Sequence, residues 1–145
     1  AGAINYYGDK INPLYLVDTF EPNLVTHEAV KTSPADFAYA NDFQEVEMYF
    51  SNYNNVYLIQ GMIPKVLTEL PEHPILFLHV DLNDATAEAE ALDKLKSRLV
   101  KGSILLFDDF GGPGGEIQAK KHQAFAESMK LSLLTLPTGQ AILVV

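Results

Sequence analysis

The sequence predicts an α/β fold: a doubly wound sandwich whose sheet is mostly parallel and closes in a C-terminal antiparallel hairpin. Three observations predict it. Two apolar runs, Ile75-Leu76-Phe77-Leu78-His79-Val80-Asp81 and Ser103-Ile104-Leu105-Leu106-Phe107-Asp108-Asp109, flank a stretch with helical spacing. Strand, helix, strand is the pattern of parallel neighbours joined by a crossover. Earlier apolar runs at 14–18 and 56–60 alternate with helical segments in the same way, which puts helices against a sheet. Finally, Leu131–Leu136 and Gln140–Val145 are joined by only Pro137-Thr138-Gly139. Strands linked so tightly are antiparallel.

The 145 residues are expected to form one domain, spanning 1–145, large enough for a real core. Hydrophobic residues make up 48% and charged residues 20%, as in soluble globular chains. The formal net charge of −9 argues against non-specific binding to nucleic acid or to an anionic membrane. With no cysteine, disulfides, thiolate chemistry and zinc–thiolate sites are excluded. No apolar run has spanning length, and no basic segment precedes an apolar one at the start. The expected setting is cytoplasmic. The chain begins at Ala1 without Met. Oligomeric state stays open, a homo-oligomer included.

Each element has a local reason. Ala1, Ala3, Ile4 and Tyr7 fit the tail of a helix stopped by Gly8. Pro13 opens a buried strand, Leu14–Asp18. Ser33-Pro34-Ala35-Asp36 is a helix start, with Ser as the N-cap and Pro in the first turn. Phe37, Ala40, Phe43, Val46 and Phe50 continue at helical spacing. Asn52, Asn54 and Asn55 break that pattern before the strand Val56–Gln60, which Gly61 closes. Pro64 to Leu70 suggests a short helix. Asn83 or Asp84 caps the helix after the strand at 75–81. Its inner stripe is Ala87, Ala91, Leu92, Leu95 and Leu99, and Lys101-Gly102 is its expected end. A glycine-rich loop, 111–115, follows the strand at 103–109. The helix from about Glu116 to Met129 is expected to turn Ile117, Ala124 and Phe125 inward.

Parallel neighbours end at the same edge, so Asp81, Asp108 and Asp109 are expected together where open α/β sheets bind ligands. Three neighbouring carboxylates repel one another. Either a proton is shared or a cation sits between them. All-oxygen donors select a hard ion such as Mg²⁺, Ca²⁺ or Mn²⁺, and Asn83 offers a further neutral oxygen. The plainer account is that these acids cap helices and solvate strand ends. His79 shares strand parity with Asp81, which makes it a second base or a substrate contact. A lone histidine in an apolar strand is, however, more often a satisfied core residue. His27, His73 and His122 read as surface residues. Asp18 fits an acceptor for a ribose hydroxyl or a turn-former before Thr19. The glycine run lacks the spacing of a phosphate-binding loop. It reads either as a mobile connection or as a rim over the acidic edge.

The segment His79-Val80-Asp81-Leu82-Asn83, with Glu88, Gly102, Asp108-Asp109-Phe110 and Pro137-Thr138-Gly139-Gln140, resembles the macrocin-O-methyltransferase (TylF-like) branch of class I S-adenosylmethionine-dependent methyltransferases. Val17-Asp18-Thr19-Phe20-Glu21 and Gln60-Gly61-Met62-Ile63-Pro64 fit the same branch. Phe110, Ala87 and Ala141 stand where that branch carries Tyr, Pro and Gly. The resemblance implies a Rossmann-like three-layer sandwich and S-adenosylmethionine as cofactor. Asp18 would hold the ribose, and Gln60 and Gly61 would lie near the adenine. Asp81, Asp108 and Asp109 would bind a divalent ion, commonly Mg²⁺. Asp81 would also take the proton from the hydroxyl of a small-molecule acceptor such as a sugar. That branch has a first strand and Gly-rich loop with no counterpart here, and residues 1–10 look like the helix that follows them.

Two other readings compete. A receiver-type signalling module also gathers acids at strand ends, but it places the acid pair on the first strand and a Lys after the fifth. Here the pair comes last and the final strands carry no Lys. A non-catalytic remnant of the methyltransferase fold is the other alternative.

Overall fold

The computed structural model describes residues 12–20, 43–112 and 114–145. The helix tail expected before Gly8, His27, and the helix start at Ser33 lie outside the described residues. The described chain groups into two compact units, 12–20 with 43–70, and 71–145.

In the first unit, β1 (Leu14–Asp18) and β2 (Val56–Gln60) form a two-stranded parallel sheet with the boundaries the sequence predicts. Their register runs from Leu14 opposite Val56 to Asp18 opposite Gln60. Tyr15 and Tyr57 face each other across it, ring centroids 5.2 Å apart, a cross-strand aromatic pair of the kind that stabilises sheets. Helix α1 (Phe43–Phe50) precedes β2. Phe43, Val46 and Phe50 are its least exposed residues, as the helical spacing predicts. A 3₁₀ turn, Lys65–Glu69, buries Val66 and Leu67. Gly61 is fixed by this turn, because a Cβ there would lie 2.9 Å from Val66 Cβ.

The second unit holds a four-stranded sheet in the order β3-β4-β6-β5. β3 is Ile75–Val80, β4 Leu99–Phe107, β5 Leu134–Thr135 and β6 Ala141–Val144. β3 and β4 are parallel, and the pairings β4–β6 and β6–β5 are antiparallel. The predicted parallel pair and the predicted hairpin are both present. The pairing is mixed rather than mostly parallel, since β6 runs against both of its neighbours.

Helix α2 (Ala85–Leu95) makes the β3–β4 crossover. Asp84 is its cap and accepts from the Thr86 and Ala87 amides at 2.9 and 3.0 Å. The helix ends earlier than the expected Lys101-Gly102. Leu99 already belongs to β4, and Gly102, with φ +92°, sits within that strand. Gly102 serves a strand irregularity, which buried Ser103 locks by donating to Ile75 O at 2.5 Å and accepting from Val100 N at 2.8 Å.

Helix α3 (Glu116–Ser128) corrects a second expectation. Phe125 is inward as predicted, but Ile117 is 64% exposed and Ala124 is exposed. The buried positions are His122, Phe125 and Ala126. One helical stripe fixes them, and that stripe contains a histidine where an apolar residue would be sought.

Leu92 of α2 and Phe125 and Ala126 of α3 pack with Val80, Leu105, Phe107, Ala141 and Leu143 in one core. Both helices therefore cover one face of the sheet. On the other face Phe77 is 57%, Ile104 41% and Val144 57% exposed. The described residues give this unit two layers, where a three-layer sandwich is expected. No described helix is long and apolar enough to cross a membrane.

Candidate functional site

The ends of β3 and β4 build the acidic edge. The last pair of their ladder is Val80 with Phe107, and Asp108 N still donates to Val80 O at 3.1 Å. Asp81 and Asp108 directly follow the two strands. Parity carries Asp81 and Asp108 to the face of His79 and turns Asp109 towards the helices. The charges that act on Asp109 agree with this: after Asp108 they are Glu88 of α2 and His122 of α3.

The cluster is strained electrostatically. Asp81 is pushed above the usual carboxylate range, first by burial, then by Asp108 and Asp109, with His79 opposing the rise. Asp109 is pushed up as well, first by burial, then by Asp108 and Glu88, with His122 opposing. Its Oδ2 is buried without a hydrogen-bond partner. Among the described residues no group of three His, Cys, Asp or Glu side chains is spaced to hold a metal ion. Asp108 and Asp109 act on the charge of Asp81, and Asp108 acts on that of Asp109.

His79 is not a core residue. Its side chain is 45% exposed, and Nε2 lies 3.8 Å from Asp108 Oδ1. That same oxygen accepts from Gln140 Nε2, and Thr138 Oγ1 donates to Gln140 Oε1 at 2.9 Å. The Pro137–Gln140 turn is thereby tied to the acidic edge. The glycine-rich loop is tied to the same turn, because Gly111 N donates to Gly139 O at 2.6 Å. At its far end Gly115 packs so closely on Asp109 that a Cβ would collide with the Asp109 carbonyl oxygen. The loop is thus laced to the site at both ends.

Asp18, Gln60 and Gly61 come together at the carboxyl end of the two-stranded sheet. Asp18 stands opposite Gln60, and Gly61 N donates to Asp18 O at 2.8 Å. The Asp18 carboxylate forms a turn, accepting from Phe20 N at 2.8 Å and Thr19 Oγ1 at 3.3 Å. Gln60 Nε2 donates to Thr19 O at 3.1 Å.

Sequence reasoning missed one feature of the acidic edge. His122 reads as a surface residue but is wholly buried, and so is Glu88. Their side chains meet at 2.8 Å. The available signal was positional: His122 lies three residues before inward Phe125, on the same helical stripe.

No family model matches the sequence, and no curated protein does. Solved structures do match. The TDP-rhamnose 3′-O-methyltransferase CalS11, an enzyme in calicheamicin biosynthesis, is similar at a TM-score of 0.66 and 21% identity, over 99% of this chain and 63% of that one. The O-methyltransferase NovP matches at 0.75 and 15% identity, over 99% of this chain and 64% of that one. The fold is methyltransferase-like. A Podospora anserina methyltransferase, PaMTH1, solved with SAH bound, matches at 0.57 and 18% identity, over 70% of this chain and 53% of that one. The resemblance carried by the sequence motifs is thus borne out at the level of fold, against sugar-methylating CalS11 among others. The chain spans less than two thirds of the length of each of these methyltransferases.

Proposed function

We propose that this methyltransferase-like fold serves an S-adenosylmethionine-dependent, divalent-metal-dependent O-methyltransferase acting on a hydroxyl of a sugar or related small molecule. One observation carries the reading: Asp81, Asp108 and Asp109 lie at the ends of neighbouring parallel strands, where Asp108 and Asp109 raise the proton affinity of Asp81.

The donor set suits a hard ion. It is all carboxylate oxygen, the chemistry that selects Mg²⁺ over softer metals. Asp81, Asp108 and Asp109 are the residues that would hold it, and its contribution there is to acidify and fix the acceptor hydroxyl.

Asp81 is the base. Burial and its acidic neighbours strengthen its hold on a proton, which suits it to accept one from a hydroxyl as the methyl group is transferred. His79, exposed beside Asp108, is a second base or an acceptor contact. Asp18 would hold the ribose of the cofactor, and Gln60 and Gly61 would lie near its adenine.

The experiment is transfer of a labelled methyl group from S-adenosylmethionine to nucleotide-linked deoxysugars, with and without a chelator. Labelled sugar that disappears with chelator and returns with Mg²⁺ supports the proposal. Transfer unaffected by chelation contradicts the metal, and no transfer to any hydroxylated acceptor contradicts the activity.

A further inference from the structure

Glu88 and His122 are the only ionisable side chains fully buried among the described residues, and the proposed chemistry uses neither. Burying two such groups costs several kcal/mol unless they are well paired, and an apolar pair of similar volume is often at least as stable. Their presence asks for a role beyond packing.

Their contacts suggest one. Glu88 Oε2 meets His122 Nε2 at 2.8 Å, and Glu88 Oε1 accepts from Leu82 N at 3.2 Å. Leu82 directly follows Asp81. The His122 ring stacks on Phe107 at 4.3 Å between centroids, and lies near-parallel to Phe110 at 6.4 Å. Phe107 directly precedes Asp108, and Phe110 directly follows Asp109. One buried pair therefore touches the backbone or side chain next to each of the three acids. His122 also acts on the charge of Asp109.

We propose that Glu88 and His122 are positioning residues for the acidic edge: Glu88 holds the turn after Asp81, and His122 holds Glu88 and the segment carrying Asp108 and Asp109. The inference rests on the proposed metal site. Groups that orient metal ligands in this way typically affect affinity by about 10–100-fold.

The test is Mn²⁺ affinity of the full chain, read by electron paramagnetic resonance, for the unaltered protein and for the double variant Glu88→Leu with His122→Phe. That variant replaces the buried polar pair with apolar side chains of similar volume and is expected to fold. A folded double variant with Mn²⁺ affinity reduced about 10-fold or more supports the proposal. A folded double variant that binds Mn²⁺ like the parent overturns it and leaves the metal site standing. An unaltered protein that binds no Mn²⁺ overturns the metal site, and the positioning role with it. Should the double variant not fold, the Leu82 amide in the unaltered protein decides. Slow hydrogen exchange there supports the clamp, and exchange at open-loop rates overturns it.

Discussion

Gln140 donates from Nε2 to Asp108 Oδ1. The bond joins the C-terminal hairpin to the strand end that carries two of the three acids. It restricts the Asp108 carboxylate, and it occupies one oxygen while leaving a second for another partner. Replacing Gln140 with Ala is expected to weaken divalent-ion binding about 10-fold, because a group that orients a ligand is lost. Gln140 is only partly buried, so unfolding free energy should fall by no more than about 1 kcal/mol. Calorimetric titration with Mg²⁺, paired with urea unfolding, checks both.

The raised proton affinities of Asp81 and Asp109 fix a pH dependence. Each binds protons more tightly folded than unfolded, since burial and the neighbouring carboxylates lift the folded value above the ordinary carboxylate one. Between those two values the folded state holds more protons, so stability falls as pH rises through that window. The metal-free protein should therefore melt higher at mildly acidic pH than at neutral pH. Asp109→Asn should raise the neutral melting temperature and flatten the slope. Both carboxyls are partly open to solvent, which limits the shift to roughly a few degrees. Excess Mg²⁺ should reverse the trend by stabilising the ionised forms. Thermal melts across pH, with and without Mg²⁺, read all three.

Gly115 should not tolerate a side chain. A Cβ there meets the Asp109 carbonyl oxygen, whereas nothing lies within 4 Å of a Cβ built on Gly112. Gly115→Ala is expected to cost about 1–3 kcal/mol of stability through forced backbone movement. Gly112→Ala should change it by less than about 0.5 kcal/mol. Urea unfolding of the two variants side by side makes the comparison.

Phe107 closes the core directly beneath the acids. It is wholly buried and stacked on His122. Phe107→Ala should cost about 3–5 kcal/mol. Phe107→Leu should keep the fold while loosening the His122 ring, which would show as faster Leu82 amide exchange.

Much of this fold is legible in the residues. The runs Leu14–Asp18 and Val56–Gln60 are strands with those very boundaries, because short apolar runs bounded by Pro, Asn and Gly leave little choice of period. The parallel β3–β4 pair and the hairpin follow from connection length alone. The end of α2 was not legible. Gly102 next to Lys101 reads as a helix stop, and only the pairing of Leu99 with Ile75 shows that the strand has already begun. Apolar counting placed Ile117 inside α3 and His122 outside. Burial of His122 depends on Glu88, 34 residues away, and no local pattern announces such a pair. At the candidate site, sequence located the acids at the right strand ends. It could not foresee that Asp109 would come under the charges of Glu88 and His122, because that depends on how α2 and α3 pack.

The central claim is that the acidic edge takes one hard divalent ion. Mn²⁺ titration of the unaltered chain beside Asp108→Asn tests it most directly. The account predicts one ion bound per chain, displaced by Mg²⁺ and lost on substitution. Equal Mn²⁺ binding by both proteins, or none by either, would contradict it.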